Sequence, residues 1–277
     1  MSYKSLLAHV CVGQDNSNVT GVSAALAQMF GAQVIGISGL RLSPPITPPY
    51  SGVPGAELTQ YEQEADEQSL KEIEQDFRAA FSGLDISLSW RANCNFTPVS
   101  EFVAQEARAA DLIVTSPEPD SFLERIGESH LGPLVLGSGR PVLVVPRQQR
   151  ELKLSKVAIA WKDVREARRA AADALPLLQK AQEVSVVEIC SPGDVEAAEQ
   201  RTGDVVRWLK LHGVAARPIV EAWKGSDLDG LHAVLRRSSF DLVIAGAYGH
   251  TKLREWVFGG VTMDFLLSGK YSVLLSH

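Results

Sequence analysis

The segment best equipped for chemistry lies near the carboxyl-terminal end. An apolar run, Leu242, Val243, Ile244 and Ala245, leads into Gly246, Ala247, Tyr248 and Gly249. After residues 250–258 come Gly259, Gly260, Val261 and Thr262, followed by an apolar helical pattern. Without a Cβ, Gly246 lets the chain turn off a strand, and Gly249 lets backbone approach a ligand. Gly259 and Gly260 would open a helix, where unpaired N–H groups and the helix dipole attract anions. Val261 continues that turn and Thr262 adds a hydroxyl donor. Together these groups can form a nest for a phosphate chain. Glycine turns also serve merely to connect a strand to a helix, so the spacing Gly-x2-Gly-x9-Gly carries the reading. Within the spacer, His250, Lys252 and Arg254 can either neutralise phosphates or line a solvated helix face.

A second group of candidates follows an earlier apolar run. Residues 156–161 end in Ala160 and Trp161, and Lys162 and Asp163 come next. Trp161 can stack on a base or simply pack. Lys162 can meet a phosphate but cannot accept hydrogen bonds from ribose hydroxyls. Residues 157–161 would form one wall of the site. Ile189, read as lying past the following strand, would touch the base.

The elements that must position these residues follow from an internal repeat. Residues 110–114 match 240–244, and residues 137–145 match 267–275, both at an offset of 130 (241 − 111 and 273 − 143). Residues 4–10 resemble 156–161 at an offset of 152, so the first half carries about 22 extra residues. These are placed in residues 42–60, where Pro44, Pro45, Pro48, Pro49 and Pro54 exclude helix and central strand and predict a long loop. The first unit is read as residues 1–148 and the second as 152–277, across a polar linker.

Apolar runs without polar alternation predict parallel strands buried on both faces. Helical stripes fall between them: Val22, Leu26 and Met29; Leu70, Ile73, Phe77 and Phe81; Phe102, Val103 and Ala107; then Ala167, Ala171, Ala174 and Leu178. Strand and helix in alternation predict α/β units with open, doubly wound sheets. Ligands then belong at the carboxyl ends of the strands, in the loops after Ala160, Glu188 and Ala245.

With the glycine spacing placed after a fourth strand, the chain resembles the universal stress protein family over nearly its whole length. The resemblance implies two tandem adenine nucleotide alpha hydrolase-like domains, each with a five-stranded parallel sheet. It also implies ATP, with Mg2+ as a possible companion, in the second repeat, and a role in stress survival. Family members pair through the last strand, which here implies pairing within the chain, with a further homodimer left open. Two departures stand out. The family's Ser or Thr after the third glycine is Gly260 here, leaving Thr262 as the hydroxyl. The family's Asp after the first strand is Lys162, with Asp163 one place late. In the first repeat, Ser116, Pro119, Ser129 and His130 stand at the four glycine positions, and the nearby prolines and acids remove donors and repel phosphate. That half is expected to be a structural partner that binds no ATP in the family manner.

Other classes fit less well. The chain has 277 residues, a net charge of -6 and 22% charged residues, which argues against clustered phosphate neutralisation on nucleic acid. Nothing approaches the roughly 20 apolar residues of a membrane span. Three scattered cysteines make no disulfide framework, and the amino-terminal segment has no leader pattern, so a cytoplasmic location is expected. His9 and Cys11 lack further metal ligands. No P-loop, nucleophile elbow or zinc-protease motif is present. A nucleotide-free docking module and a slow ATPase remain as alternatives, the latter lacking an evident general base.

Overall fold

The computed structural model describes residues 2–42, 55–117, 131–247 and 269–277, with side chains described from residue 63 in the second of these segments. The first half contains β1 (Ser5–His9), α1 (Ser17–Phe30), β2 (Gln33–Arg41), α2 (Gly55–Ala80), β3 (Leu88–Asn95), α3 (Val99–Glu106), β4 (Leu112–Thr115), α4 (Leu131–Gly137) and β5 (Val142–Val144). The second contains β6 (Lys156–Trp161), α5 (Arg165–Asp173), α6 (Leu175–Leu178), β7 (Glu183–Cys190), α7 (Val195–Leu211), β8 (Ala216–Ala222), α8 (Asp227–Ser238), β9 (Leu242–Gly246) and β10 (Ser272–Ser276).

All ten strands join one sheet, in the order β3-β2-β1-β4-β5-β10-β9-β6-β7-β8. Each half contributes five parallel strands. The halves meet at one antiparallel joint, β5 against β10, which pairs Leu143 with Leu274. Val, Ile and Leu fill the strands because both faces are covered. One core layer holds Leu6, Leu112, Leu143, Val157, Leu242 and Leu274 under α1, α2, α5, α6 and α7. The other holds Leu7, Ile113, Val142, Ala158, Val243 and Val273 beside α3, α4 and α8. Across the joint, the Tyr3 hydroxyl donates to the Asp173 carbonyl (2.7 Å) and the Ser272 hydroxyl to Gln149 Oε1 (2.9 Å).

The register refines the repeat. Leu6 sits opposite Leu112 and Val157 opposite Leu242, so the first strands correspond at an offset of 151 (157 − 6), not 152. In the last strands Val142 lies beside Ile113 and Val273 beside Val243, an offset of 131 (273 − 142), not 130. A shift of one residue exchanges the two faces of a strand. Leu143 shares its core layer with Leu274, whereas Val273 belongs to the opposite layer. The extra length lies between β2 and β3. Val34 and Val184 correspond at 150 and their partners Leu88 and Ala216 at 128, a difference of 22 residues.

Two local expectations change. Residues 55–60 are helical, so the loop expected over 42–60 ends earlier; Ala56, Glu57, Leu58 and Gln60, which follow Gly55, are good helix formers. Residues 43–54 lie outside the described residues. Met29 is 40% exposed, because Val22, Leu26 and Phe30 form the inward stripe of α1 and Met29 stands beside it. The remaining stripes face inward as their spacing predicts: Phe77 and Phe81 are 2% exposed, Val103 and Ala174 fully buried.

Candidate functional site

In the second half β6, β7 and β9 are parallel neighbours, so their carboxyl ends open on the same side. Of the sequence-predicted residues, Ala160, Trp161, Lys162, Asp163, Ile189 and Gly246 can be placed. Gly249, His250, Gly259, Gly260, Val261 and Thr262 lie outside the described residues, as do Pro119, Ser129 and His130 of the first half.

Ala160 faces the α8 layer and packs against its core. Trp161, next along β6, turns to the other face and is 9% exposed within the larger core layer. It packs there. The rest of the expected wall, Val157, Ala158 and Ile159, is core. Lys162 stands at the mouth, where its Nζ lies 2.9 Å from Asp227 Oδ2, in the first turn of α8. Asp163 Oδ1 accepts from Arg168 at 2.6 Å. Arg165, in the first turn of α5, donates from Nε to Glu166 Oε1 at 2.5 Å. Three cations therefore line the mouth, each paired with its own acid.

Ile189 and Gly246 take parts that the sequence did not suggest. Ile189 lies inside β7 and not past its end. It packs on α8 at Gly230, where an added Cβ would come within 2.8 Å of Ile189 Cγ2. Gly246 is the last residue of β9, paired with Ser276, and its φ is not positive. Its missing Cβ admits a helix: a Cβ there would meet Ala167 N and Glu166 C at 2.5 Å. Gly246 is thus the seat of the α5 amino terminus, not a turn.

Three acids escaped the sequence reading. Glu166 is 4% exposed beside Gly246. Burial opposes its ionisation, but the Arg165 hydrogen bond, its own backbone N–H and the charges of Arg165 and His277 outweigh that and hold the carboxyl below its usual range. Glu188, 5% exposed near the end of β7, accepts two hydrogen bonds from Arg201. Arg201 also reaches Asp194. The signal for Glu188 was available: it is the one charged residue among residues 184–190.

The equivalent crevice of the first half is filled. Ser116 corresponds to Gly246 in register, and Asn18, fully buried, donates to Ser116 Oγ (3.0 Å) and to the Val145 carbonyl (2.8 Å). Arg147 crosses the mouth, donating to Gln14 Oε1 (2.8 Å) and to the Pro117 carbonyl (3.2 Å). Asn16 locks the loop after β1, its side chain accepting from Cys11 N–H (2.8 Å) and donating to the Cys11 carbonyl (2.9 Å). Burial pushes the Cys11 thiol up to about 11, against the pull of Arg147. His9, buried in β1, has Nδ1 3.0 Å from Thr115 Oγ1. Among the described residues no group of three or more His, Cys, Asp and Glu could hold a metal ion. None of the described helices is long and apolar enough to cross a membrane.

A scan against protein-family models gives no match, and no curated protein matches the sequence. Solved structures do match in three dimensions. A universal stress protein from Archaeoglobus fulgidus DSM 4304 aligns over 98% of this chain and 97% of its own, with a TM-score of 0.70 at 14% identity. A functionally unknown protein from Pseudomonas aeruginosa PAO1 aligns over 99% and 92%, with a TM-score of 0.61 at 14% identity. The paired five-stranded halves, joined through their last strands, are thus an arrangement shared along the full chain, and this protein has the fold of a universal stress protein.

Proposed function

We propose that this chain is a cytoplasmic stress-response protein whose second half binds ATP or a related adenine nucleotide, with the first half as its built-in structural partner. The observation that carries this reading is the asymmetry at one sheet position. In the first half Ser116, Asn18 and Arg147 fill the crevice between β1 and β4. In the second half the corresponding residue is Gly246, against which the first turn of α5 seats, and the mouth above it carries Lys162, Arg165 and Arg168 in place of a crossing side chain.

The residues at the mouth fit an anion. Lys162, Arg165 and Arg168 are 59%, 78% and 57% exposed along their side chains, and each is held by one carboxylate. Ion pairs with exposed partners contribute about 0–1 kcal/mol. A phosphate chain carried by Gly249, Gly259, Gly260 and Thr262 can therefore draw Lys162 from Asp227 or Arg168 from Asp163 at small cost. Lys162 would serve the phosphates, and a magnesium ion would add its charge there.

The Lys162–Asp227 pair and the packing of Ile189 on Gly230 favour a second reading, in which the fold serves partner docking without nucleotide. Calorimetric titration with ATP and magnesium, beside base-extracted nucleotide analysis of the purified protein, separates the two. Bound adenine nucleotide supports the first reading. No binding of ATP, ADP or AMP supports the second.

A further inference from the structure

Glu188 occupies an unusual place for a carboxylate. It sits inside a parallel strand, faces the larger core layer, and is 5% exposed. Its Oε1 accepts from Arg201 Nε at 3.0 Å and Nη2 at 2.6 Å. The same Nη2 lies 2.7 Å from Asp194 Oδ2. Asp194 directly precedes α7, yet its side chain makes no capping bond to the helix. Glu188 Oε2 is buried with no hydrogen-bond partner among the described residues, and so is Nε1 of Trp161, the neighbour of Glu188 across the β6–β7 register. One oxygen of a buried anion is thus satisfied by a guanidinium shared with a second acid, and the other is not satisfied.

Burying a charge is costly unless it is paired and fully hydrogen-bonded, and a carboxylate can escape the cost by taking up a proton. The groups facing Glu188 favour that escape. Burial pushes its carboxyl up, Arg201 opposes this, and the charges of Asp194 before α7 and Asp163 after β6 push it up further. Cys190 stands two residues along β7, and β8 offers the uncharged Val220 beside it. In the first half the same sheet position, at the offset of 150, is Ser38, a fully buried neutral hydroxyl. The arrangement belongs to the second half.

We propose that Glu188 is a proton-operated clasp at the carboxyl end of β7: ionised, it holds Arg201 and with it the first turns of α7 against the sheet, and on protonation that hold loosens. The charge-assisted bond from Arg201 to Glu188 becomes a weaker bond to a neutral acid, and the guanidinium is left to Asp194. The loop 191–194, on the rim of the second-half mouth, then loses its tie to β7. The clasp does not depend on nucleotide being bound there.

Two effects of opposite sign identify it. A carboxyl raised by folding favours the protonated fold. Its contribution to global stability is therefore fully present below the unfolded value of about 4.3 and is lost as pH rises through the folded value. Local protection of α7 instead increases with pH, because opening the clasp withdraws Arg201 while Glu188 stays buried in β7, where its carboxyl then binds a proton more tightly than in the closed clasp. The test is amide hydrogen exchange over residues 191–200, normalised to intrinsic rates, at about pH 4, below the ordinary carboxylate value, and at about pH 8 in the full chain. Wild type should lose protection several-fold at the lower pH, while β6 and β9 keep theirs. Glu188→Gln, which cannot ionise, and Arg201→Met, which leaves Glu188 without its partner, should both show the low protection at both pH values. Equal wild-type protection at the two pH values would overturn the clasp, as would a pH step that survives in either variant.

Discussion

Leu143 and Leu274 are equivalent residues of the two halves, and they face each other across the only antiparallel pairing in the sheet of described strands. Both are fully buried in the same core layer. A two-fold relation between the halves passes through this pair, so the joint is both strand pairing and core. Leu274→Ala should cost about 2–5 kcal/mol, as large-to-small changes in packed cores do. Urea unfolding measures it. A loss under about 0.5 kcal/mol, as for a surface change, would mean that the joint is not packed as described.

Gly246→Ala tests the seat of α5. The added methyl meets backbone atoms of Glu166 and Ala167 at 2.5 Å, and backbone cannot swing aside as a flexible side chain can. The expected destabilisation is about 1–3 kcal/mol, read as a lower urea midpoint with an unchanged slope. A neutral outcome would place α5 further from β9.

How much of this could be read from the sequence differs by element. The strands were legible because both faces of a parallel sheet are apolar, so their runs stand out without alternation. The repeat was legible too, but its offsets were each one residue out at β1 and β5. Aligning Leu143 with Val273 matches apolar with apolar while assigning them to opposite faces, and only hydrogen-bond register separates the two choices. Ile189 was misplaced for a related reason: β7 continues to Cys190, past the acid at Glu188 that looked like its end. Gly246 was recognised as special and given the wrong task, since a glycine that admits a helix and one that turns a chain are the same letter. The filling of the first crevice depends on Asn18 reaching Ser116 and Val145, contacts 98 and 127 residues apart that no local pattern records.

The cations at the mouth give a prediction with a sign. Asp227→Asn frees Lys162, so ATP affinity should rise several-fold, while Lys162→Ala should lower it. Both side chains are more than half exposed, so each change should move stability by no more than about 1 kcal/mol. Calorimetric titration and urea unfolding read the two quantities. Equal ATP affinity in both variants would remove Lys162 from the phosphate site.

Glu166 supplies a pH dependence opposite to that of Glu188. Its folded carboxyl lies below the ordinary value, burial being outweighed by Arg165, the backbone N–H and His277. Such a group adds stability above its unfolded value, near 4.3, and loses it as pH falls through the folded value. Glu166→Gln should therefore be less stable than wild type at neutral pH, with the difference shrinking on acidification. Melting scans from neutral to acidic pH show it, and a difference independent of pH would contradict the assignment.

The central claim is that one adenine nucleotide is held by the second half alone. Calorimetric titration of wild type and Gly249→Glu with ATP and magnesium tests it most directly, with native mass spectrometry giving the stoichiometry. The account predicts one ATP per chain in wild type and none in Gly249→Glu, with the two proteins melting alike. No ATP bound by wild type, two bound per chain, or binding that survives in Gly249→Glu would contradict it.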